Sequence, residues 1–288
     1  MKHCTIGIDL GATNIRVARI EDGKIKRSES HPIAKSQVPD DLIEQIKNLI
    51  KLVISESVQS IGIGVPSVVD VEKGIVYDVQ NIPAWKKVPL KNILEDKFNI
   101  SVYINNDANC YVLGEKYYGK GKGYNSIVGL ILGTGFGSGL VINGKLVSGE
   151  NCGAGEVGML PYKDSIFEHY CSGQFFEIHK NIAGDKAYKQ AREGDQNSIE
   201  MYKEYGTHLG NAIKAVMYAY DPALIILGGS IKSAYDLFEE EMHSAMQDFA
   251  YPKSLQKLKI TCSELDQVAV LGAVALSLDQ EMISTPKA

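Results

Sequence analysis

The chain has 288 residues, 44% of them hydrophobic, and a formal net charge of −5 with a pI near 5.7. This length is sufficient for two α/β domains, each with its own core. The acidic charge balance argues against a protein that binds the phosphate backbone of nucleic acids. No apolar run reaches the roughly 18 residues of a membrane span, and no signal sequence precedes the first predicted strand. We therefore expect a cytoplasmic protein without nucleic-acid or membrane partners.

Two groups of three short strands form an internal repeat. In each group a two-residue turn joins the second and third strands, Asp22-Gly23 in the first group and Asn143-Gly144 in the second. Such turns are a strong hairpin signal. The strands are predicted at residues 5–9, 15–20 and 24–30, and again at 126–132, 139–142 and 145–147.

The segment between the two groups alternates helices and strands. Apolar residues recur at three- and four-residue spacing from Leu42 to Ile54 and predict an amphipathic helix that begins near Asp40. Glycines after the last helix provide a candidate hinge. The further predicted elements are a strand at 60–65, a loop at 66–85, a helix at 89–98, a strand at 101–105 and a helix at 108–118.

The second half is mainly helical from residue 166 to about 220, with breaks near Gly184 and Gly194. Strands are predicted at 223–227 and 257–262, and helices at about 233–249 and 268–278. The whole pattern predicts two α/β domains with mixed sheets flanked by helices and a cleft between them. We place the domains at 1–118 and 119–267, with the C-terminal helix at about 268–288 packed back on the first.

Each strand group contains a glycine-rich turn suited to phosphate. The first turn follows Asp9 and contains Gly11, Ala12 and Thr13, and the second is centred on Thr134. Glycine allows close approach of backbone N–H groups to an anion. Asp9, at the carboxyl end of its strand, could hold a hydrated Mg²⁺. One such turn alone is equally consistent with a simple hairpin, but its duplication favours two loops that grip one polyphosphate.

A second candidate segment covers residues 105–109, where a predicted strand ends and a helix begins. Asn and Asp are favoured helix N-caps, which is the structural alternative. The functional interpretation makes Asp107 the general base for an alcohol nucleophile, with Asn106 bound to another hydroxyl of the same acceptor. Phosphoryl transfer needs mainly a well-placed hydroxyl whose proton is accepted late.

A third candidate segment covers residues 153–159, which include Glu156, with Glu168 nearby in the chain. Two acidic side chains that accept hydrogen bonds from neighbouring hydroxyls are suited to a polyol. A solvated turn is the alternative.

These segments resemble the ROK family (repressors, open reading frames and kinases), which belongs to the actin, Hsp70 and hexokinase superfamily. The resemblance rests on DLGATNIRVARI, NIPAW, INNDAN, LILGTGFGSGLVINGKL, GAGEVGM, FEHYCSG and DPALIILGGS, and covers nearly the whole chain. It implies two actin-like (ribonuclease H-like) domains and a sugar kinase that uses ATP and Mg²⁺. It also suggests a homodimer.

The resemblance assigns roles to individual residues. Asp107 is implied as the catalytic base, and Ser67 lies where the family usually has glycine close to the sugar. The residues implied in sugar contact are Asn106, Glu156, Glu168 and the neighbouring Ser67 and Met159. Those implied in nucleotide binding are Asp9, Gly11, Ala12, Thr13 and Asn14 in the first loop, Thr134 and Gly135 in the second, and Gly228 and Gly229 beside the nucleoside.

Two departures from the family pattern concern metal and sugar. Met159 replaces a histidine that commonly contacts the sugar and a structural zinc, and the zinc-binding cysteine module is missing. Cys152, His169 and Cys171 are not spaced as a tetrahedral site requires, so no zinc site is expected. Loss of the histidine removes one hydrogen bond to the sugar, which puts specificity for a glucose-type substrate in doubt.

We therefore predict an ATP-dependent sugar kinase that phosphorylates a hexose or hexose derivative, most readily at the 6-hydroxyl. The sequence leaves the sugar open. A non-catalytic sugar-binding sensor or pseudokinase of the same fold is the main alternative, and an actin-like or chaperone ATPase is a third. Too few residues precede the first loop for the DNA-reading domain of the family's repressors.

Overall fold

The computed structural model describes residues 3–11, 13–34, 38–79 and 82–284, with side chains described through residue 280. The chain forms two compact units. The first comprises the described residues up to Gly123, with Gly139–Ala154 and the residues from Glu264 onward. The second comprises Tyr124–Ser138 and Gly155–Ser263. The domain limits expected from the sequence, 1–118 and 119–267, remain a prediction, and they differ from these units chiefly at Gly139–Ala154.

The first unit is built on a mixed sheet of five strands. Its strand order is β3-β2-β1-β4-β8, in which β1, β2 and β3 are antiparallel and β4 and β8 run parallel to β1. The strands are β1 (Cys4–Leu10), β2 (Asn14–Glu21), β3 (Lys24–Pro32), β4 (Ser60–Val65) and β8 (Ser101–Asn106). The helices are α1 (Pro39–Val53), α2 (Leu90–Phe98), α3 (Asp107–Tyr118) and α10 (Val268–Ser284).

A second five-stranded sheet has the same arrangement, in the order β11-β10-β9-β14-β15. Its strands are β9 (Ile127–Leu132), β10 (Phe136–Ile142), β11 (Lys145–Leu146), β14 (Leu224–Gly228) and β15 (Lys259–Cys262), and β14 is parallel to both β9 and β15. The division between the units falls within β10. The helices of the second unit are α4 (Phe167–Cys171), α5 (Gln174–Lys180), α6 (Gly184–Arg192), α7 (Gln196–Tyr220), α8 (Tyr235–Ala245) and α9 (Pro252–Lys257).

The predicted fold class is confirmed: both sheets are mixed, both are accompanied by helices, and the three-strand repeat is present twice. Within the described residues, none of the helices combines the length and the apolar character that a membrane span requires.

Several short elements differ from the prediction. The predicted loop at 66–85 contributes most of a small sheet formed by β5 (Val68–Asp70), β6 (Ile75–Tyr77) and β7 (Lys87–Val88). A hairpin of β12 (Pro161–Tyr162) and β13 (Ser165–Ile166) precedes the helical zone. These strands have two or three residues each, too few for a periodic signal to emerge. The predicted helix at 233–249 is shorter because Ile231–Ala234 form a 3-10 turn before α8.

Close backbone contact brings α10 against α3 and the first sheet. A Cβ at Gly272 would lie 1.6 Å from the carbonyl oxygen of Cys110 in α3. Likewise, a Cβ at Gly62 in β4 would lie 1.8 Å from the carbonyl oxygen of Ala273. Glycine is therefore required at both positions, and α10 holds α3 at its distance from the sheet.

We predict that Gly272→Ala destabilises the protein by about 1 to 3 kcal/mol, as expected for overpacking. In a helix without this contact, the same change would stabilise the protein by about 1 kcal/mol. The contact with Cys110 therefore determines whether the substitution stabilises or destabilises the protein. Urea unfolding measures the effect, and Gly153→Ala is the control, because nothing lies within 4 Å of a Cβ there. A stability of Gly272→Ala equal to or above that of the wild type would contradict this packing.

Candidate functional site

Three neighbouring parallel strands bring Asp9 and Asn105 of the first unit to one edge of its sheet. In register, Asp9 of β1 lies beside Gly64 of β4, and Gly64 lies beside Asn105 of β8. Adjacent strands are about 4.8 Å apart, so Asp9 and Asn105 are separated by about 10 Å. Burial raises the pKa of the Cys110 thiol well above 9.0, and the charges of Asp107 and Asp9 raise it further. Asp107 is the first residue of α3 and directly follows β8, so it lies at the same edge of the sheet as Asp9.

Asp9 is a buried carboxylate with a cationic neighbour. Only 8% of the residue is exposed, and Arg16 Nη1 donates a hydrogen bond to Asp9 Oδ2 at 3.1 Å. Burial raises the pKa of Asp9, and the charge and hydrogen bond of Arg16 oppose that rise. The sequence analysis missed Arg16, although the β1–β2 hairpin pairs it directly with Asp9.

The environment of Asp9 fits a hydrated magnesium ion. Mg²⁺ usually keeps several waters and binds one or two carboxylates together with substrate phosphates. A nearby cation would also offset the desolvation that raises the pKa of Asp9. The role of Asp9 in holding Mg²⁺ through water stays a prediction.

A tight turn connects β1 and β2. Gly11 N donates a hydrogen bond to the Asn14 carbonyl at 3.0 Å, and Asn14 Nδ2 donates to Thr13 Oγ1 at 3.0 Å. Thr13 is exposed, so this turn presents it to solvent. Ala12, also predicted to bind phosphate, lies outside the described residues.

A hydrogen-bond network around Asn105 fixes the start of the candidate catalytic segment. Asn105 Oδ1 accepts hydrogen bonds from Asn106 N at 2.8 Å, Asn109 Nδ2 at 2.9 Å and Cys152 Sγ at 3.2 Å. Asn105 Nδ2 donates to Ser148 Oγ at 3.1 Å. The sequence analysis gave Asn105 no role of its own, because the approach of Ser148 and Cys152 is a tertiary contact without a local signal.

Asn106 and Asp107 stand at the N-terminus of α3. Asn106 Oδ1 accepts a hydrogen bond from Ala108 N at 2.9 Å, as an N-cap does. Asp107 Oδ1 accepts from the same N–H at 2.8 Å. The capping interaction anticipated from the sequence is therefore present, and it leaves both half-buried residues at the edge of the sheet near Asp9.

Ser67 lies beside Asn106. Its carbonyl oxygen accepts a hydrogen bond from Asn106 Nδ2 at 3.4 Å, while its hydroxyl donates to the Tyr77 carbonyl of β6. The backbone of Ser67, rather than its hydroxyl, therefore contacts the candidate site.

In the second unit, Glu168 contacts the glycine-rich loop between β9 and β10. Its Oε2 accepts a hydrogen bond from Phe136 N at 2.9 Å. A Cβ at Gly135 would lie 2.8 Å from the same oxygen, so glycine leaves room for this carboxylate. Gly173 N donates to the Gly133 carbonyl at 2.7 Å. The loop is therefore tied to the α4–α5 segment at two points.

Glu156 lies close enough to Glu168 for the two charges to interact. Burial raises the pKa of Glu156, and the negative charge of Glu168 raises it further. Met159 follows in the same segment, with its N–H donating to the Glu156 carbonyl at 3.1 Å, and it is 58% exposed. A thioether donates no hydrogen bond, so Met159 offers a ligand mainly apolar contact.

A cavity of about 330 Å³ lies beside the same loop. Gly133 and Thr134 of the loop form part of its wall, together with Tyr188 of α6 and Tyr202 of α7. The sequence analysis proposed no ligand contact for either tyrosine. This volume and its mixture of backbone and aromatic walls suit a nucleoside.

The turn after β14 supplies another part of the cavity wall through Ser230, Ile231, Ser233 and Ala234. Gly229 has φ of +80°, and a Cβ there would lie 2.1 Å from the Leu132 carbonyl oxygen, so the turn requires glycine. Among the described residues, Gly228 and Gly229 themselves are not in the cavity lining. Their predicted contact with a nucleoside stays a prediction.

An aromatic cluster packs around α4, the helix that bears Glu168. Tyr162 stacks on Phe167 with ring centroids 4.4 Å apart, and Tyr170 meets His208 edge-on at 4.9 Å. The Tyr162 hydroxyl lies 3.0 Å from His208 Nδ1. His208 is 3% exposed, and its burial lowers its pKa from 6.5 to about 4.

The residues considered as remnants of a zinc site are engaged elsewhere. His169 Nδ1 lies 2.6 Å from Ser165 Oγ, Cys171 is buried in the second unit, and Cys152 belongs to the Asn105 network of the first. Over the part of the chain that the structure describes, no three His, Cys, Asp or Glu side chains are grouped to hold a metal ion. The expectation of a zinc-free protein stays a prediction.

The repeated sheet and the segments described above are those of one protein family. The ROK family model matches residues 5–280, and the chain belongs to the ROK family.

Characterised relatives include both enzymes and regulators. The glucokinase of Thermotoga maritima is 29% identical, over 94% of this chain and 96% of that protein. The N-acetyl-D-glucosamine kinase of Vibrio cholerae is 32% identical, over 82% and 87% respectively. The structure of a ROK family transcriptional regulator, a homologue of E. coli MLC, has a TM-score of 0.87 at 21% identity and covers 96% of this chain and 78% of its own. This last likeness concerns the fold alone.

We predict that His208 makes stability fall as the pH is lowered from about 6.5 to about 4. In this interval the unfolded chain protonates an imidazole with pKa 6.5, whereas the folded protein, with pKa about 4, does not. His208→Gln should therefore lose less stability than the wild type between pH 7 and 5. Urea midpoints at the two pH values measure this, with exposed His243→Gln as control. Equal losses in His208→Gln and the wild type would show that His208 does not titrate as described.

Proposed function

We propose that this chain is an ATP-dependent sugar kinase that transfers the γ-phosphoryl group of Mg–ATP to a hydroxyl of a hexose or hexose derivative, most readily the 6-hydroxyl. The observation that carries the proposal is the strand register that brings Asp9 and the segment of Asn106 and Asp107 to one sheet edge. A metal-binding carboxylate and a candidate base near each other are the two acidic parts that phosphoryl transfer to an alcohol requires.

The relatives support this class of reaction. One is named a glucokinase and another an N-acetyl-D-glucosamine kinase. We extend to this chain the activity that these two names share, phosphorylation of a hexose or an N-acetylated hexose. D-glucose and N-acetyl-D-glucosamine are therefore the first acceptors to test.

The first unit would activate the acceptor. Asp107 accepts the proton of the attacking hydroxyl while the hydroxyl oxygen bonds to the γ-phosphorus and the bond from that phosphorus to ADP breaks. The amide of Asn106 binds a second hydroxyl and fixes the orientation of the sugar. The Asn105 network holds this segment rigid, which reduces the entropy cost of the reactive geometry. When bound near Asp9, Mg²⁺ neutralises charge on the phosphate oxygens.

The second unit would bind the nucleotide and part of the sugar. Thr134 and Gly135 present a hydroxyl and a backbone N–H to phosphate oxygens, and the cavity beside them receives the nucleoside. Glu156 and Glu168 accept hydrogen bonds from sugar hydroxyls. Exposed Met159 would favour an acceptor with an apolar substituent near this position.

A non-catalytic sugar sensor is the second candidate. Its support is Met159, which stands where the family commonly has a histidine that contacts the sugar. The two functions differ in turnover: a sensor is thermally stabilised by a sugar without releasing ADP. Cytoplasmic location and a homodimer remain predictions.

We predict that Asp107→Asn lowers kcat by at least about 100-fold, because general-base catalysis commonly contributes 10²- to 10⁴-fold. Sugar affinity, measured by calorimetry, should change little, since an amide still occupies the position. Coupled ADP release with D-glucose and N-acetyl-D-glucosamine gives the rate, and Asp96→Asn, exposed on α2, is the control. An unchanged kcat in Asp107→Asn would remove the general-base assignment, and absence of turnover in a wild type stabilised by sugar would favour the sensor.

We predict that Glu156→Gln raises the KM for the sugar by about 10-fold, because a neutral amide replaces the charged acceptor of its hydrogen bonds to sugar hydroxyls. The KM for ATP should change less. Because the pKa of Glu156 is raised above 4.5, acidification protonates it early, and the wild-type KM for the sugar should rise as the pH falls towards that pKa. The variant should lack this rise.

Initial rates at pH 5 to 8 test this, with exposed Glu240→Gln as the control. A larger effect on the KM for ATP than for the sugar, or the same acid dependence in variant and wild type, would exclude Glu156 from the sugar site.

A further inference from the structure

Gln174, the first residue of α5, connects the cavity of the second unit to Glu168. Its Nε2 donates a hydrogen bond to Glu168 Oε1 at 3.1 Å and lies 3.5 Å from the Thr134 carbonyl oxygen. Gln174 also lines the cavity next to Gly133 and Thr134. One amide group therefore reaches a sugar-binding candidate, the phosphate loop and the wall of the nucleotide cavity.

The other oxygen of Glu168 is bound to the same loop. Phe136 N donates to Glu168 Oε2 at 2.9 Å, so each carboxylate oxygen accepts one hydrogen bond from the part of the chain that the structure describes. Each oxygen has a second lone pair, which remains geometrically suited to a sugar hydroxyl. The two donors thus fix the plane of the carboxylate without using its full capacity.

The backbone around Gln174 is tied to the loop as well. Gly173 N donates to the Gly133 carbonyl at 2.7 Å, and Gln174 N donates to Ser172 Oγ at 3.2 Å. The loop residues Gly133 and Thr134 are therefore connected to the start of α5. Gln174 and Phe136 connect the same loop to the Glu168 carboxylate.

We propose that Gln174 is a positioning residue that couples the nucleotide cavity to Glu168, so that nucleotide and sugar bind cooperatively. The inference rests on the proposed function for the identity of the two ligands. Nucleotide in the cavity holds the loop and Gln174 in place, and this fixes Glu168 in the orientation that receives a sugar hydroxyl. Since such coupling is reciprocal, bound sugar also stabilises the nucleotide-binding loop.

The test measures sugar affinity with and without nucleotide. Calorimetry gives the Kd of D-glucose and of N-acetyl-D-glucosamine for the intact protein, alone and with saturating Mg–AMP-PNP. The wild type should bind the sugar at least about 5-fold more tightly when the nucleotide is present. Gln174→Met keeps the length of the side chain but has no N–H donor. For this variant, the ratio of the sugar Kd without nucleotide to the sugar Kd with nucleotide should fall below about 2.

Two features distinguish positioning from a general structural role. Gln174→Met should keep its sugar Kd without nucleotide within about 3-fold of the wild type, because Phe136 N still holds Glu168. Gln247→Met is the matched control, because Gln247 is exposed in the turn that follows α8. This variant should keep the wild-type ratio. A wild-type ratio near 1, or an undiminished ratio in Gln174→Met, would overturn the proposal.

Binding of Mg–AMP-PNP alone gives a second test that needs no sugar. In a double-mutant cycle of Gln174→Met and Glu168→Gln, the double variant should lose little more affinity than the worse single variant, because both changes break one connection. Additive losses, or no binding by the wild type, would contradict the coupling. Turnover is measured separately. Cooperative binding without phosphorylation would refute the proposed kinase activity and support the coupling through Gln174. Phosphorylation without cooperative binding would support the kinase activity and refute the coupling.

Discussion

The register of three parallel strands is the constraint on which the candidate catalytic site depends. β1, β4 and β8 are aligned so that Asp9, Gly64 and Asn105 form one row at the sheet edge. A slip of one residue would turn every side chain to the opposite face. It would remove the amide of Asn105 from its buried network and shift Asn106 and Asp107 along the sheet relative to Asp9. The buried apolar residues of these strands, such as Ile8 and Ile63, oppose that slip.

The two units use one strand order for different chemistry. In the first unit, the carboxylate beside the glycine-containing turn is that of Asp9, which belongs to strand β1. Arg16 on the paired strand β2 donates a hydrogen bond to it. In the second, the carboxylate comes from a helix, as Glu168, and binds the loop through Phe136 N. In the proposed function, the repeated scaffold would supply a metal-binding carboxylate in one unit and acceptors for hydroxyls beside a phosphate-binding loop in the other.

Most of the framework could be predicted from the sequence because its signals are local. Hairpin turns such as Asp22-Gly23 mark each strand group, and α1 has a clear apolar face. Contacts distant in the chain could not be predicted. Neither the approach of Cys152 to Asn105 nor the bond from Gln174 to Glu168 has a sequence pattern, and strands of two or three residues give no period. Motif resemblance located the candidate residues, whereas their hydrogen-bond partners required the structure.

The central claim is that the Asp107 carboxylate receives the proton of the attacking hydroxyl. The most direct measurement is a crystal structure of the wild type with its acceptor sugar and Mg–AMP-PNP bound. Our account predicts an Asp107 oxygen at about 2.6 to 3.2 Å from the acceptor hydroxyl, with that hydroxyl in line with the γ-phosphorus. A sugar whose reactive hydroxyl faces another residue, with Asp107 beyond hydrogen-bond distance, would contradict it.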